Sequence, residues 1–324
     1  MRPELEQAAG LLQRNTPEAV EEAIALLQNT VYSFSMKVCG HPEDAEDTMQ
    51  EVLFRSLPHL AKIKEPRALA VWLYTVTRNR CWRMRRKTSG EPKQLVALDD
   101  LMPDEAELGR LLEDAAQGPE DNVSQEEQAN LLHKAVLQIP APLRLVLVLH
   151  DMEELDTDVV AKVLDLKSGT VRVRLHRARL LVRKQMAVLI EKAGSKRQSA
   201  KKTAHRPARK NPGERPPECR DLFANLSEYM DGRIDSPTCD EMSAHIEACP
   251  ACVAFLRELR TAIDRCRTLQ ISCDTAVAHR LRAILTQEYL RMLGMGGLKN
   301  LPSSVTSSSL HGFHPLKGKA RHGS

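Results

Sequence analysis

Apolar residues recur along this chain at intervals of three and four, the period of an α-helix and not the alternation of a strand. Ala23, Ile24, Leu26, Leu27, Val31 and Phe34 make the first such stripe, entered through Thr16-Pro17. The hydroxyl there can cap a helix, and the proline suits the first turn, where its missing N–H has no intrahelical partner to lose. Gly40-His41-Pro42 ends that helix and starts a second, with Met49, Val52, Leu53 and Leu57 on its buried side. Pro58 and Pro66 bracket a loop, and a third long helix runs from Pro66 to Lys87. A second helical block follows over about residues 128–192. Leu131, Leu132, Ala135, Val136 and Ile139 form one amphipathic helix, stopped at Pro140-Ala141-Pro142, and Leu143 to His150 form the next. From Leu155 a short apolar helix, a three-residue turn and a longer helix make a helix-turn-helix. Val171, Leu175, Ala178 and Val182 line one face of the longer helix; Thr170, Arg174 and Arg177 line a second; Arg172, His176, Arg179 and Arg183 line a third. A third, compact helical block covers residues 219–293.

Composition narrows this picture. Aromatics at 3% and charged residues at 28% favour an all-α chain over a sandwich or barrel. The net charge of +4 says little, but its distribution divides the chain. Residues 98–127 are strongly acidic and residues 192–215 strongly basic, as linkers and nucleic-acid-facing tails are. The expected organisation is a helical domain over 10–90, an acidic linker over 91–127 and a helix-turn-helix domain over 128–192. A flexible basic linker over 193–218, a cysteine-bearing domain over 219–293 and a disordered tail over 294–324 complete it. The start of the chain shows no signal-peptide pattern, and no run of about 18 apolar residues exists to span a membrane, so a cytoplasmic protein is expected.

Three elements carry chemistry that binds rather than catalyses. Asp44, Glu46, Asp47, Gln50 and Glu51 crowd the start of one helix. The helix dipole accounts for two or three acids there; five polar groups in eight positions make a docking face for a basic partner. At the end of the next helix stand Asn79, Arg80, Trp82, Arg83, Arg85 and Arg86. Aromatic stacking and phosphate neutralisation there can hold unpaired bases, while Trp72 earlier in that helix suits the core. In the helix-turn-helix, Ser168, Thr170, Arg172 and Arg174 sit where base-edge contacts begin, and Arg177 and Arg179 lie further along as phosphate ligands.

These elements together resemble the extracytoplasmic-function (ECF) class of the sigma-70 family of RNA polymerase sigma factors. Asp44 to Leu53 and Trp72 to Arg80 are similar to its region 2, and Val159 to Arg179 to its region 4. The resemblance implies that the acidic face binds core RNA polymerase. It also implies that the helix after it melts the minus-ten element of promoter DNA, and that the helix-turn-helix reads the minus-thirty-five element. The chain departs from the family pattern at three places: Val159 stands for a glutamate, Asp165 for the turn glycine, and Arg172-Val173 for Lys-Ser. Asp tolerates a left-handed turn better than most residues, so the fold should survive, while Val173 should alter which bases are read. The acidic linker suits either a polymerase channel, by mimicking nucleic acid, or plain solvation. An alternative reading is a helix-turn-helix regulator with a metal- or redox-sensing tail that never joins the polymerase.

Six of the eight cysteines fall after residue 218, and His245-x3-Cys249-x2-Cys252 has metal-ligand spacing. Zn2+ takes nitrogen and sulfur donors tetrahedrally; Cys219 is the first choice for the fourth ligand and Cys239 the second. With every position taken by protein, such a site is structural. There is no H-E-x-x-H and no nucleophile paired with a base, so no enzyme is expected. The segment 218–260 resembles the zinc-finger domain of zinc-binding anti-sigma factors, which implies an intramolecular contact between the zinc domain and the sigma domains. A 25-residue linker spans about 25–30 Å, enough to let it fold back.

Overall fold

The computed structural model describes residues 1–85 apart from Ala61, isolated positions at 101, 103, 107 and 109, and then 125–198, 226–233, 236–273 and 275–294. Among these residues every regular element is a helix. The first group comprises α1 (Pro3–Arg14), α2 (Pro17–Cys39), α3 (Pro42–Leu60) and α4 (Pro66–Arg85). The second comprises α5 (Gln125–Gln138), α6 (Ala141–Leu147) running into a π-turn (Val148–Met152), α7 (Thr157–Leu164) and α8 (Ser168–Gln198). The third comprises α9 (Ser236–Ala248), α10 (Pro250–Thr268) and α11 (Thr275–Met292).

Local chemistry explains most boundaries. Thr16 caps α2 by accepting a hydrogen bond from the Ala19 amide, with Pro17 in the first turn. Gly40 ends α2 at φ 82°, and a Cβ there would lie 2.6 Å from Leu137 of α5, so both the turn and the approach of the second group demand glycine. Asp165 ends α7 at φ 55°, the left-handed position the sequence assigns to the turn of the helix-turn-helix.

Three expectations need correction. Helix α1 begins at Pro3, ahead of residue 10; Leu5, Ala8, Leu11 and Leu12 bury its inner face against α2. Helix α3 runs through Pro58 to Leu60, because a proline in a last turn forfeits only one hydrogen bond. Helix α8 extends to Gln198, six residues into the expected flexible linker.

The helices pack as one continuous apolar cluster. The second group lies directly on the first. Arg144, fully buried in α6, donates to the carbonyls of Val38, Leu137 and Ile139, and so satisfies the C-terminal end of α2. Glu153, just past the π-turn, accepts from Lys37 of α2 at 2.7 Å and from the Tyr74 hydroxyl of α4 at 2.8 Å, all three buried. The third group then straddles both: α10 packs on α8 and the π-turn, while α11 packs on α2 and α3. Gln28 of α2 donates to the Ala278 carbonyl at 3.1 Å on that second contact.

Candidate nucleic-acid interface and metal centre

Helix α8 is positioned by its apolar face, Val171, Leu175, Ala178 and Val182, all buried against α5, α6 and α7. Its first turn is held by Ser168, whose hydroxyl donates to Asp158 at 2.9 Å. The two polar faces fare differently. Thr170 is exposed, and Arg174 and Arg177 are half-buried. The other face meets a row of acids. Arg172 is 3.8 Å from Glu228. Arg183 pairs with Glu258 at 2.9 Å and with Glu107 of the acidic linker at 2.6 Å, and its guanidinium lies over the Phe255 ring.

Arg179 between them is a correction to the sequence reading: it is no exposed phosphate ligand here. It is 1% exposed and grips two carboxylates at once. Nε and Nη2 donate to Asp151 at 2.8 and 2.7 Å, and Nη2 and Nη1 to Asp231 at 2.9 and 3.1 Å. Nη1 also donates to the Ser227 hydroxyl at 2.7 Å. Burial by itself would raise the Asp151 carboxyl, but the bonds from Arg179 and His150 hold it well below the usual range. Beyond this pair, Arg233 donates to the Thr157 hydroxyl at the start of α7.

On the first group, Asp47 and Gln50 are exposed, and Asp44, Glu46 and Glu51 are half-buried, all on the outer side of α3. Glu51 ties back to Arg55 at 2.9 Å and to Arg80 of α4 at 2.6 Å, so Arg80 is engaged and not free. Asn79 is exposed and accepts from Arg78, Trp82 is 41% exposed, and Arg83 donates to the Asn79 carbonyl. The Arg85 side chain and Arg86 lie outside the described residues. Trp72 is half-buried, its ring 5.2 Å from that of His59. Arg78, Asn79 and Trp82 of α4 and Pro142, Leu145, Leu166 and Arg174 of the second group line a shared cleft of about 360 Å³. The two nucleic-acid elements of the sequence reading thus face one another.

His245 sits in the last turn of α9, Cys249 at the N-cap of α10 and Cys252 one turn further on. Their donor atoms lie within 4.8 Å of one another, with His245 Nε2 3.5 Å from Cys252 Sγ. A tetrahedral Zn2+ with ordinary Zn–N and Zn–S bonds spaces two such donors about 3.5 Å apart, so the group fits the ion. Cys239 does not join this set, and Cys219 lies outside the described residues.

Comparison with known proteins places each block. The family model "Sigma-70 region 2" matches residues 23–91, "Sigma-70, region 4" matches 129–182, and "Putative zinc-finger" matches 219–252. The last match runs from Cys219 to Cys252. The chain belongs to the sigma-70 family, in its ECF class. It is similar to the ECF RNA polymerase sigma factor SigW of Bacillus subtilis, 27% identical over 54% of this chain and 92% of that protein. It is also similar to the RNA polymerase sigma-H factor of Pseudomonas aeruginosa, 24% identical over 58% of this chain and 96% of that protein. The ECF RNA polymerase sigma-E factor of Escherichia coli K12 is 24% identical over 46% of this chain and 77% of its own length. As a sigma factor the protein serves transcription initiation and is not an enzyme. The match to region 2 decides against a helix-turn-helix regulator that never joins the polymerase. Among the described residues no helix is long and apolar enough to cross a membrane.

Sequence reasoning missed the residues that tie these blocks together: Lys37, Asp151, Glu153, Asp231 and Glu258. Asp151 and Glu153 follow the apolar run Leu145 to Leu149 in a stretch that also holds His150, Glu154 and Asp156, so no local pattern singled them out.

Proposed function

We propose that this sigma factor is held closed by its own zinc segment. The observation that carries the reading is the pairing of Arg172, Arg179 and Arg183 with Glu228, Asp231 and Glu258, a row of carboxylates that covers the arginine face of α8. Core RNA polymerase docks through Asp44, Glu46, Asp47, Gln50 and Glu51, a cytoplasmic task. Asn79, Arg80, Trp82, Arg83, Arg85 and Arg86 hold the melted minus-ten strand. Ser168, Thr170, Arg172, Arg174 and Arg177 dock on the minus-thirty-five element. Those two elements lie about 25 base pairs apart, roughly 85 Å of duplex at 3.4 Å per step, whereas the two readers share one cleft. Region 4 must therefore leave region 2 before both elements are engaged.

Zn2+ would be held by His245, Cys249 and Cys252, with Cys219 the fourth ligand that the sequence offers. When bound it supplies a structural crosslink at the corner between α9 and α10. That corner sets the register of α10, and with it Glu258 against Arg183. Thiolate ligands are the oxidisable form of cysteine, so loss of the corner offers a route to release.

Transcription in vitro with core polymerase tests this. The full chain is compared with its Glu228→Gln/Asp231→Asn/Glu258→Gln variant and with Cys249→Ser, on promoters selected from a genomic fragment pool. Both variants should start transcription where the unaltered chain is silent with zinc and active after chelation. Equal activity of all three under every metal and redox condition ends the reading. Pull-down of polymerase, abolished by Asp44→Lys/Asp47→Lys, checks the docking face separately.

A further inference from the structure

Val173 is 55% exposed, the most exposed large apolar side chain among the described residues. It lies three residues after Thr170 and four before Arg177, on the side of α8 opposite the buried Val171, Leu175, Ala178 and Val182. Arg174 beside it lines the cleft toward α4. A β-branched side chain at an exposed helix position gains nothing from burial and lowers helix propensity slightly. The fold therefore offers no reason for valine at this site.

The major groove offers one. Each base edge there presents hydrogen-bond donors and acceptors, and thymine adds an apolar C5-methyl group. The opening turns of a recognition helix are the part that reaches base edges, and Val173 is the sixth residue of α8. Thr170, Arg174 and Arg177 stand one step or one turn from it along α8 and carry groups suited to base edges and phosphates, so Val173 adds an apolar point beside them. We infer that Val173 is a specificity-determining residue of promoter recognition, packing its methyl groups against the C5-methyl of a thymine in the upstream promoter element. This rests on the reading of α8 as the DNA-docking helix.

The test uses the full chain carrying Glu228→Gln, Asp231→Asn and Glu258→Gln, assembled with core RNA polymerase, on promoters selected from a genomic fragment pool. Each thymine of the selected upstream element is replaced in turn by deoxyuridine, which keeps base pairing and removes only the methyl group. At one position the replacement should weaken binding about fourfold, the worth of one buried methyl. Val173→Ala should weaken binding to the thymine duplex by a similar factor and abolish the difference at that position alone. Because the site is exposed and alanine favours helix, the variant keeps the fold, which circular dichroism verifies. Uridine equal to thymine at every position overturns the inference, as does discrimination that survives in Val173→Ala. A selection that enriches no upstream element defeats the DNA reading of α8, and this inference with it.

Discussion

Region 4 is held on two sides, and the two contacts are built differently. Toward region 2 the contact resembles a domain core. Lys37 is 0% exposed, Glu153 and Tyr74 complete its hydrogen bonding, and Arg144 satisfies the end of α2. Toward the zinc segment the contact is graded. Arg179 is fully engaged, Arg183 leaves Nε and Nη2 without partners among the described residues, and Arg172 with Glu228 is an exposed pair at 3.8 Å. A buried ion pair that loses one partner is strongly destabilised, whereas an exposed pair contributes little. For the proposed opening the difference predicts an order: the zinc segment should yield from its rim inward while region 2 still holds region 4.

The largest effect should come from breaking the core-like side. Glu153→Ala strands the buried Lys37 ammonium and should cost about 3–5 kcal/mol in denaturant unfolding. A loss below about 1 kcal/mol would mean that water reaches that contact and that the two sides are alike. Asp231→Asn acts on the other side. Arg179 keeps Asp151, so the expected cost is about 1.5–3 kcal/mol, read as faster hydrogen exchange across 226–233 with the Glu153 contact unchanged.

Acid should loosen the same side. His176 lies on the arginine row, and neither ring nitrogen has a partner among the described residues. Burial first, and then Arg179 and Arg177, push it down to about 4. An opened or unfolded chain takes up the proton near the ordinary 6.5, so stability is complete above that pH and falls as pH drops toward 4. By pH 5 the loss should reach about 2 kcal/mol, and His176→Leu should flatten the profile between those values. Glu228→Gln should change stability by no more than about 0.5 kcal/mol, since both partners of the rim pair are exposed. A larger change would place the start of opening elsewhere.

Much of this was written locally. The stripes of α2 and α5, the cap at Thr16 and the stop at Gly40 follow from spacing and backbone chemistry. Asp165 marks the turn, and His245, Cys249 and Cys252 converge because the last turn of α9 and the first turn of α10 meet at Cys249. Helix α1 escaped notice although Pro3, Leu5, Ala8 and Leu12 carry a period of their own. Pro58 misled, since a proline weighs as a helix end unless the last turn is known.

The sequence by itself determined the helices, the metal-donor spacing and which faces of α8 are polar, because each depends on neighbours within a turn or two. Only the tertiary structure decided that Arg179 is buried among Asp151 and Asp231 while Val173 remains open. Both sit on one helix outside its apolar stripe, and whether such a position meets solvent or a row of carboxylates depends on residues as far as 50 positions away, which no local period encodes.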